Sequence, residues 1–369
     1  MKVVFRIALS LALALAAALA GVAASADAAT TSATNATNTS ATPPQFADGF
    51  GLTVVGQPAW VDANHRTFTL AVTSDQVPNP TLLPGQLPHQ LVLMVTLPED
   101  YDATAATDTR YPVLYVLHGN QDEPNALWNQ QITENATAGV PLITVYPDGG
   151  RSWYTNWANP GGLGPQNWET FALDQVIPLI DANLRTIPTR AGRAIAGHSM
   201  GGFGAFHYAE DRPDLFSYVG SFSGGLDLDN PAERAAVVET ELDPNSGTPT
   251  VSADSIFGSP IWPFDGAWVA QSPAEHVSAL RGMGVAIYTG NGGDLTVDPV
   301  EAVIEYEAEQ TALLTDANLK AAGITDHFVD YGDGSDWAAG CTGKHAQQPC
   351  VQADMNDFVS LIMQHLQHP

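Results

Sequence analysis

The residues of this chain that could do chemistry gather around one pentapeptide, Gly197-His198-Ser199-Met200-Gly201. It fits the pattern Gly-x-Ser-x-Gly. A short apolar run, Ala194-Ile195-Ala196, precedes it, and a helix is predicted from Met200 onward. A serine at such a strand-to-helix turn occupies a strained backbone, and glycines flank it because neighbouring side chains would collide. Its hydroxyl then stands clear of the sheet, at the start of a helix whose dipole favours developing negative charge. That is the setting of a nucleophile in acyl chemistry. A glycine-rich turn with an incidental serine is the bland alternative, and the strand–helix context and the extra Gly202 weigh against it.

A serine hydroxyl needs a base, and the base needs an orienting acid. At a turn of this kind the chain order is Ser, then Asp or Glu, then His. The histidines after Ser199 are His207, His276, His327, His345, His365 and His368. His207 falls inside the nucleophile helix, His276 precedes the strand that leads to the acid, and His365 and His368 lie in the tail. His345 sits in a loop bracketed by Cys341 and Cys350, a restraint that would hold a catalytic ring in place. We expect His345 as the base, with His327, at the start of the edge strand Phe328-Val329-Asp330-Tyr331, as the second choice. The acid should follow the strand Val285-Ala286-Ile287-Tyr288, where Asp294, Asp298 and Glu301 are in reach. Asp298-Pro299-Val300-Glu301 already reads as a helix start, with a cap, a proline at the first helical position and a glutamate three residues after the cap. Asp294, after Gly290-Asn291-Gly292-Gly293, has no such explanation and is the expected acid, with Asp298 next.

Two backbone N–H groups must hold the oxyanion. Met200 follows the nucleophile and supplies one. The other is assigned by position to Asn120, in the loop His118-Gly119-Asn120-Gln121. Trp153 and Tyr154, with Trp157 beside them in the loop 149–160, and His118 are the candidates for a substrate pocket. Lid packing is the alternative for the aromatic residues.

The surrounding elements can position such a site. Tyr111–Leu117 and Val140–Tyr146 are buried strands without polar alternation, as are the runs before Ser199 and up to Tyr288. Helical periodicity spans Trp168–Arg185, with a kink expected at Pro178, and Pro299–Ala322. Runs between Phe46 and about Gln90, such as Thr67–Val72, read as added N-terminal strands, and Leu91–Leu97 as the first strand of the alternation. Continuous apolar strands alternating with helices predict an α/β fold, a mostly parallel central sheet covered on both faces.

The first segment stands apart. Lys2 and Arg6 precede an Ala- and Leu-rich run that ends in Ala24-Ser25-Ala26, so residues 1–26 read as a secretory signal peptide. Residues 27–45, rich in Ala, Thr, Ser, Asn and Pro, read as a flexible linker, and 46–369 as one domain. With 369 residues and 44% apolar composition the chain can bury one large core. In an exported chain Cys341 and Cys350, the only two cysteines, are expected to form a disulfide. The formal charge of −27 becomes −29 without residues 1–26. Such a surface repels phosphate backbones and anionic membranes, which excludes nucleic acid as a partner and argues against stable membrane insertion. A small-molecule, glycan or lipid ester remains admissible, and the expected location is extracellular.

Four stretches carry a resemblance: Tyr111–Gly119, Pro147–Tyr154, Trp168–Phe171 and Gly197–Ala205, the last being the most specific. They resemble the esterase D family of α/β-hydrolases, in particular its secreted antigen 85-type mycolyltransferase branch. Gly290-Asn291-Gly292 resembles the turn before that family's acid, and Gly343-Lys344-His345 the approach to its histidine. The resemblance covers about Leu91 to Leu366. It implies the α/β-hydrolase fold and serine acyl chemistry without metal or cofactor, with Ser199, His345, Met200 and Asn120 in the roles above. The spacing after Asn291 departs from that branch, so the resemblance does not choose the acid. The positions that hold the sugar in that branch, an Asp and an Arg, correspond here to His118 and Gln121, and a Trp after its histidine to Gln347. These differences point to a carboxylesterase before an acyltransferase acting on a sugar or glycerol hydroxyl. A non-catalytic secreted binding protein is the third reading.

Overall fold

The nine strands of the computed structural model, which describes residues 40–80, 86–243 and 251–369, pair into one sheet. They are β1 (Leu52–Trp60), β2 (Thr67–Ser74), β3 (Leu91–Thr96), β4 (Val113–Leu117), β5 (Ile143–Pro147), β6 (Arg193–His198), β7 (Tyr218–Phe222), β8 (Gly284–Thr289) and β9 (His327–Asp330). Their spatial order is β1-β2-β3-β5-β4-β6-β7-β8-β9. The pairs from β5 to β9 are parallel, while β1, β2 and β3 add on antiparallel. This is the mostly parallel sheet expected from the alternation, in the α/β-hydrolase arrangement that the resemblance implies. The expected signal peptide, and residues 27–39 of the expected linker, lie outside the described residues.

Burial explains the sequence texture. Every residue of β4, β5, β6 and β7 is buried, which is why those strands carry no polar alternation. One apolar cluster includes Leu173 and Val176, Phe203 and Phe206, and Leu319. The cluster on the other side includes Ile132 and the residues Val351, Met355 and Phe358. The corresponding helices are α1 (Leu127–Ala136), α2 (residues 168–183), α3 (Met200–Asp211), α4 (Pro231–Leu242), α5 (Gly266–Ala270), α6 (Pro273–His276), α7 (Pro299–Ala321) and α8 (Gln348–Ile362). Among the described residues no helix is long and apolar enough to cross a membrane.

Two details differ from the sequence reading. Strand β7 is not evident in the sequence because Gly220 and Ser221 interrupt its apolar run. The glycine is required, since a Cβ at 220 would lie 2.5 Å from the Phe358 ring of α8. The second is α2, where the chain runs α-helical over Trp168–Thr170, π-helical over Phe171–Val176 and α-helical again over Ile177–Asn183. Pro178 has no N–H to give to the preceding turn. The helix yields in the wide turn before the proline.

Candidate active site

Ser199 lies between β6 and α3 with φ 57° and ψ −123°, a conformation that costs a non-glycine residue free energy. Its N–H donates to Phe222 O at 2.9 Å, which ties the turn to β7. A Cβ on Gly197 would fall 2.2 Å from Gly201 O, and one on Gly201 would fall 2.0 Å from Leu117 O. The glycines are thus demanded by backbones that pass in contact beneath the serine. Of the ten non-glycine residues at positive φ among the described residues, Gln121, Trp153, Tyr154, Ser199, Ser223, Asp298 and Ala346 all belong to the segments that build this site.

His345 joins Ser199 to a buried carboxylate. Ser199 Oγ–H donates to His345 Nε2 at 2.8 Å, and His345 Nδ1–H donates to Glu305 Oε2 at 2.8 Å. Glu305 is fully buried in α7, and its second oxygen accepts from Ser223 Oγ and Gly290 N, both at 2.7 Å. The backbone N–H of His345 donates to Glu301 O at 3.2 Å, so one face of α7 holds both the ring and the chain of the histidine. Burial works against a charge on His345. The Glu305 hydrogen bond and charge, helped by Glu301 and Glu233, outweigh it and raise the imidazole above its ordinary range. Burial also raises the Glu301 carboxyl and takes that of Glu233 up to about 7. Cys341 and Cys350 form the disulfide that closes the loop around His345.

The expected acid is displaced by this geometry. Asp294 is exposed, and its Oδ1 accepts from Thr296 N at 2.8 Å and Thr296 Oγ1 at 2.7 Å. Those bonds hold its pKa below the usual carboxylate range. Its carbonyl accepts from Lys344 Nζ, so it braces the loop beside His345 without orienting the ring. Asp298 occupies the cap position at φ 47° without a side-chain cap bond, and Glu301 contributes its carbonyl. The acid at the ring is Glu305, one helical turn after Glu301. A signal was present in the sequence: Glu305 lies on the stripe Ala302, Glu305, Ala308, Ala312 that α7 buries, and an unexplained charge on such a stripe needs a partner. The second-choice base, His327, is engaged elsewhere, with Nε2 2.8 Å from Asp357.

The loop after β4 lies directly over the serine. A Cβ on Gly119 would sit 3.5 Å from Ser199 Cβ. Asp122 N donates to Gly119 O at 3.3 Å, closing a turn with Asn120 and Gln121 at its centre. The Asn120 side chain donates to Thr240 Oγ1 of α4 at 3.2 Å, which anchors the loop. Met200 opens α3, where N–H groups have no intrahelical acceptor.

The three pocket candidates turn out to be internal supports. His118 is buried, and its Nε2 accepts from Gly149 N at 3.0 Å, which requires the proton on Nδ1. The Tyr154 hydroxyl donates to His118 O at 3.0 Å, and its ring fills the space that glycines 149 and 204 leave open. Trp153 is buried edge-to-face on Phe203; its backbone N–H donates to Met200 Sδ and its indole N–H to Thr240 Oγ1, both at 3.4 Å. These residues brace the loop after β4 and helix α3, because a loop held at positive φ needs packing to keep it there. His198, to which the sequence reading gave no role, packs 5.0 Å from the His345 ring and edge-to-face on Trp128. Burial first, and then the neighbouring His345, push its pKa well below the ordinary range, so it forms a neutral wall.

Known proteins share this architecture. The sequence pattern of the Esterase family matches residues 85–347. Esterase Rv1288 of Mycobacterium tuberculosis is 35% identical over 251 residues, covering 67% of this chain and 50% of that protein. The chain therefore spans about half the length of that relative. Diacylglycerol acyltransferase/mycolyltransferase Ag85A of Mycobacterium leprae is 32% identical over 193 residues, covering 49% of this chain and 55% of the other. The crystal structure of Mycobacterium tuberculosis MPT51 superposes with a TM-score of 0.58 at 21% identity, over 79% of this chain and 99% of that one, a likeness of fold.

Proposed function

Because the chain belongs to the Esterase family, we propose that it hydrolyses carboxylic esters through an acyl-enzyme on Ser199. One observation carries the reading: the unbroken pair of 2.8 Å hydrogen bonds from Ser199 through His345 to Glu305. Ser199 Oγ attacks the ester carbonyl as its proton passes to His345 Nε2. Glu305 holds the ring and balances the imidazolium charge. The N–H groups of Met200 and Asn120 hold the oxyanion. His345 returns the proton to the leaving alkoxide, and a water activated by the same nitrogen then releases the acid.

Turnover of short p-nitrophenyl esters and labelling of Ser199 by a fluorophosphonate test this reading. Ser199→Ala should lower kcat on the order of 10⁶-fold. Retained turnover, or a folded protein that does not label, would sink it.

Acyl transfer to an alcohol is the second reading, favoured by the similarity to the mycobacterial acyltransferase. The two differ only in the acceptor, so product analysis with and without an added polyol separates them. The leader-like residues 1–26 support an extracellular site of action, which accumulation of the processed chain in the culture medium would test.

A further inference from the structure

A second constellation lies at the far end of the nucleophile helix and takes no part in the ester chemistry. His207, Asp211 and Glu169 each point one ligand-type atom at a common spot, and these atoms all lie within 4.8 Å of one another. His207 and Asp211 are one turn apart on α3, and Glu169 approaches from the first turn of α2. His207 Nε2 is 3.6 Å from Glu169 Oε2 and 4.0 Å from Asp211 Oδ2. It is buried and has no hydrogen-bond partner among the described residues. An imidazole nitrogen held at these distances from two carboxylates lacks the direct hydrogen bond that buried polar atoms normally make.

We infer that Glu169, His207 and Asp211 form a binding site for a first-row divalent cation, with zinc as its best fit. The separations define a point about 2.5 Å or less from all three atoms, and zinc bonds to nitrogen and carboxylate oxygen are roughly 2.0–2.2 Å. Small rotations of the two carboxylates close that gap. One imidazole with two carboxylates suits zinc and its neighbours, whereas calcium and magnesium prefer oxygen alone. The cation would also neutralise two carboxylates that face each other.

The surroundings are built to hold the geometry. The Phe203 ring stacks on His207 at 5.6 Å and 14°, which fixes the imidazole plane. The Tyr208 hydroxyl donates to Trp168 O at 3.3 Å and locks α2 to α3 beside the site. The Asp211 side chain is 54% exposed, which leaves a path for the ion and room for water ligands. His276 faces Asp211 from α6, and Arg212, bonded to Asp174 and Asp214, adds positive charge that favours the Glu169 carboxylate. His207 follows Ser199 by eight residues, roughly 12 Å along a helix. The role is therefore a clamp between α2 and α3. It adds no step to the reaction and leaves the metal-free acyl chemistry intact.

The test is zinc titration of the full chain after chelator treatment, by calorimetry and thermal unfolding. One zinc per chain with a micromolar Kd, and a melting temperature that climbs with added zinc, are expected. Glu169→Gln and Asp211→Asn should each weaken binding at least tenfold, and together abolish it. Binding only in the millimolar range, or undiminished in the double variant, would overturn the site. Should the variants misfold, the anomalous signal of zinc-soaked native crystals decides: a peak within bonding distance of His207 Nε2 supports the site, and a peak elsewhere, or none, overturns it.

Discussion

Glu305 Oε2 lies 2.8 Å from His345 Nδ1, across 40 residues of chain and from a helix that the sequence had already committed to other work. The glutamate is fully buried with both oxygens bonded; its contact fixes the tautomer of the ring and, with Glu301 and Glu233, favours its charged form. A carboxylate so placed acts only through the ring it holds.

Glu305→Gln should therefore lower kcat on the order of 10⁴-fold while the fold persists, since loss of the orienting acid alone costs about that much in comparable triads. Asp294→Asn, which alters an exposed turn, should change kcat less than about threefold. Steady-state kinetics of the two variants side by side reads this directly, and the reverse ranking would restore Asp294.

The acid limb of the pH profile should lie high. His345 must be neutral to accept the serine proton, and its pKa is raised by Glu305. The midpoint of kcat/KM is expected above the ordinary imidazole value of about 6.5, and Glu305→Gln should move it down. Stability moves the other way. A raised histidine contributes stability that is fully present below its unfolded pKa and is lost as pH rises through the folded one. The stability gap between wild type and His345→Gln should thus shrink from pH 6 to pH 9, measured by urea unfolding.

Gly201→Ala should destabilise the protein by roughly 3 kcal/mol or more, because its Cβ would meet Leu117 backbone at 2.0 Å and neither strand nor helix can retreat. Gly162→Ala is the control. Nothing lies within 4 Å of a Cβ there, and its effect should stay within about 0.5 kcal/mol. Equilibrium unfolding of both variants separates close approach from a general intolerance of glycine replacement.

Reduction of Cys341–Cys350 should lower kcat about tenfold with little change in KM. The closed loop is short, so its entropic contribution to stability is at most about 3 kcal/mol. Activity indifferent to reductant would mean that the two bonds from α7 to His345 suffice to hold the loop.

Much of this was legible in the chain. Ser199 and the strand and helix around it follow from local sterics, since a glycine pattern between an apolar run and a helical one admits few other turns. His345 was singled out because two cysteines bracket it, and the parallel sheet because strands covered on both faces carry unbroken apolar runs. The carboxylate that meets its ring was not singled out. The elimination stopped at the first turn of α7, where Asp298 and Glu301 looked employed in capping, and Glu305 lies one turn further, on the stripe facing the sheet. Trp153, Tyr154 and His118 were read as pocket residues because aromatic and imidazole rings near a nucleophile invite that role. Burial assigned them to the scaffold.

The sequence by itself determined the turn at Ser199 and the strand and helix that flank it, which depend on backbone conformation within a few residues. The identity of the acid, the support under the oxyanion loop and the facing of His207 toward Glu169 depend on which helix faces meet, and that was decided only by tertiary packing. A periodic pattern shows that a helix has a buried stripe; the residue waiting on the other side becomes known only when the sheet has brought the two together.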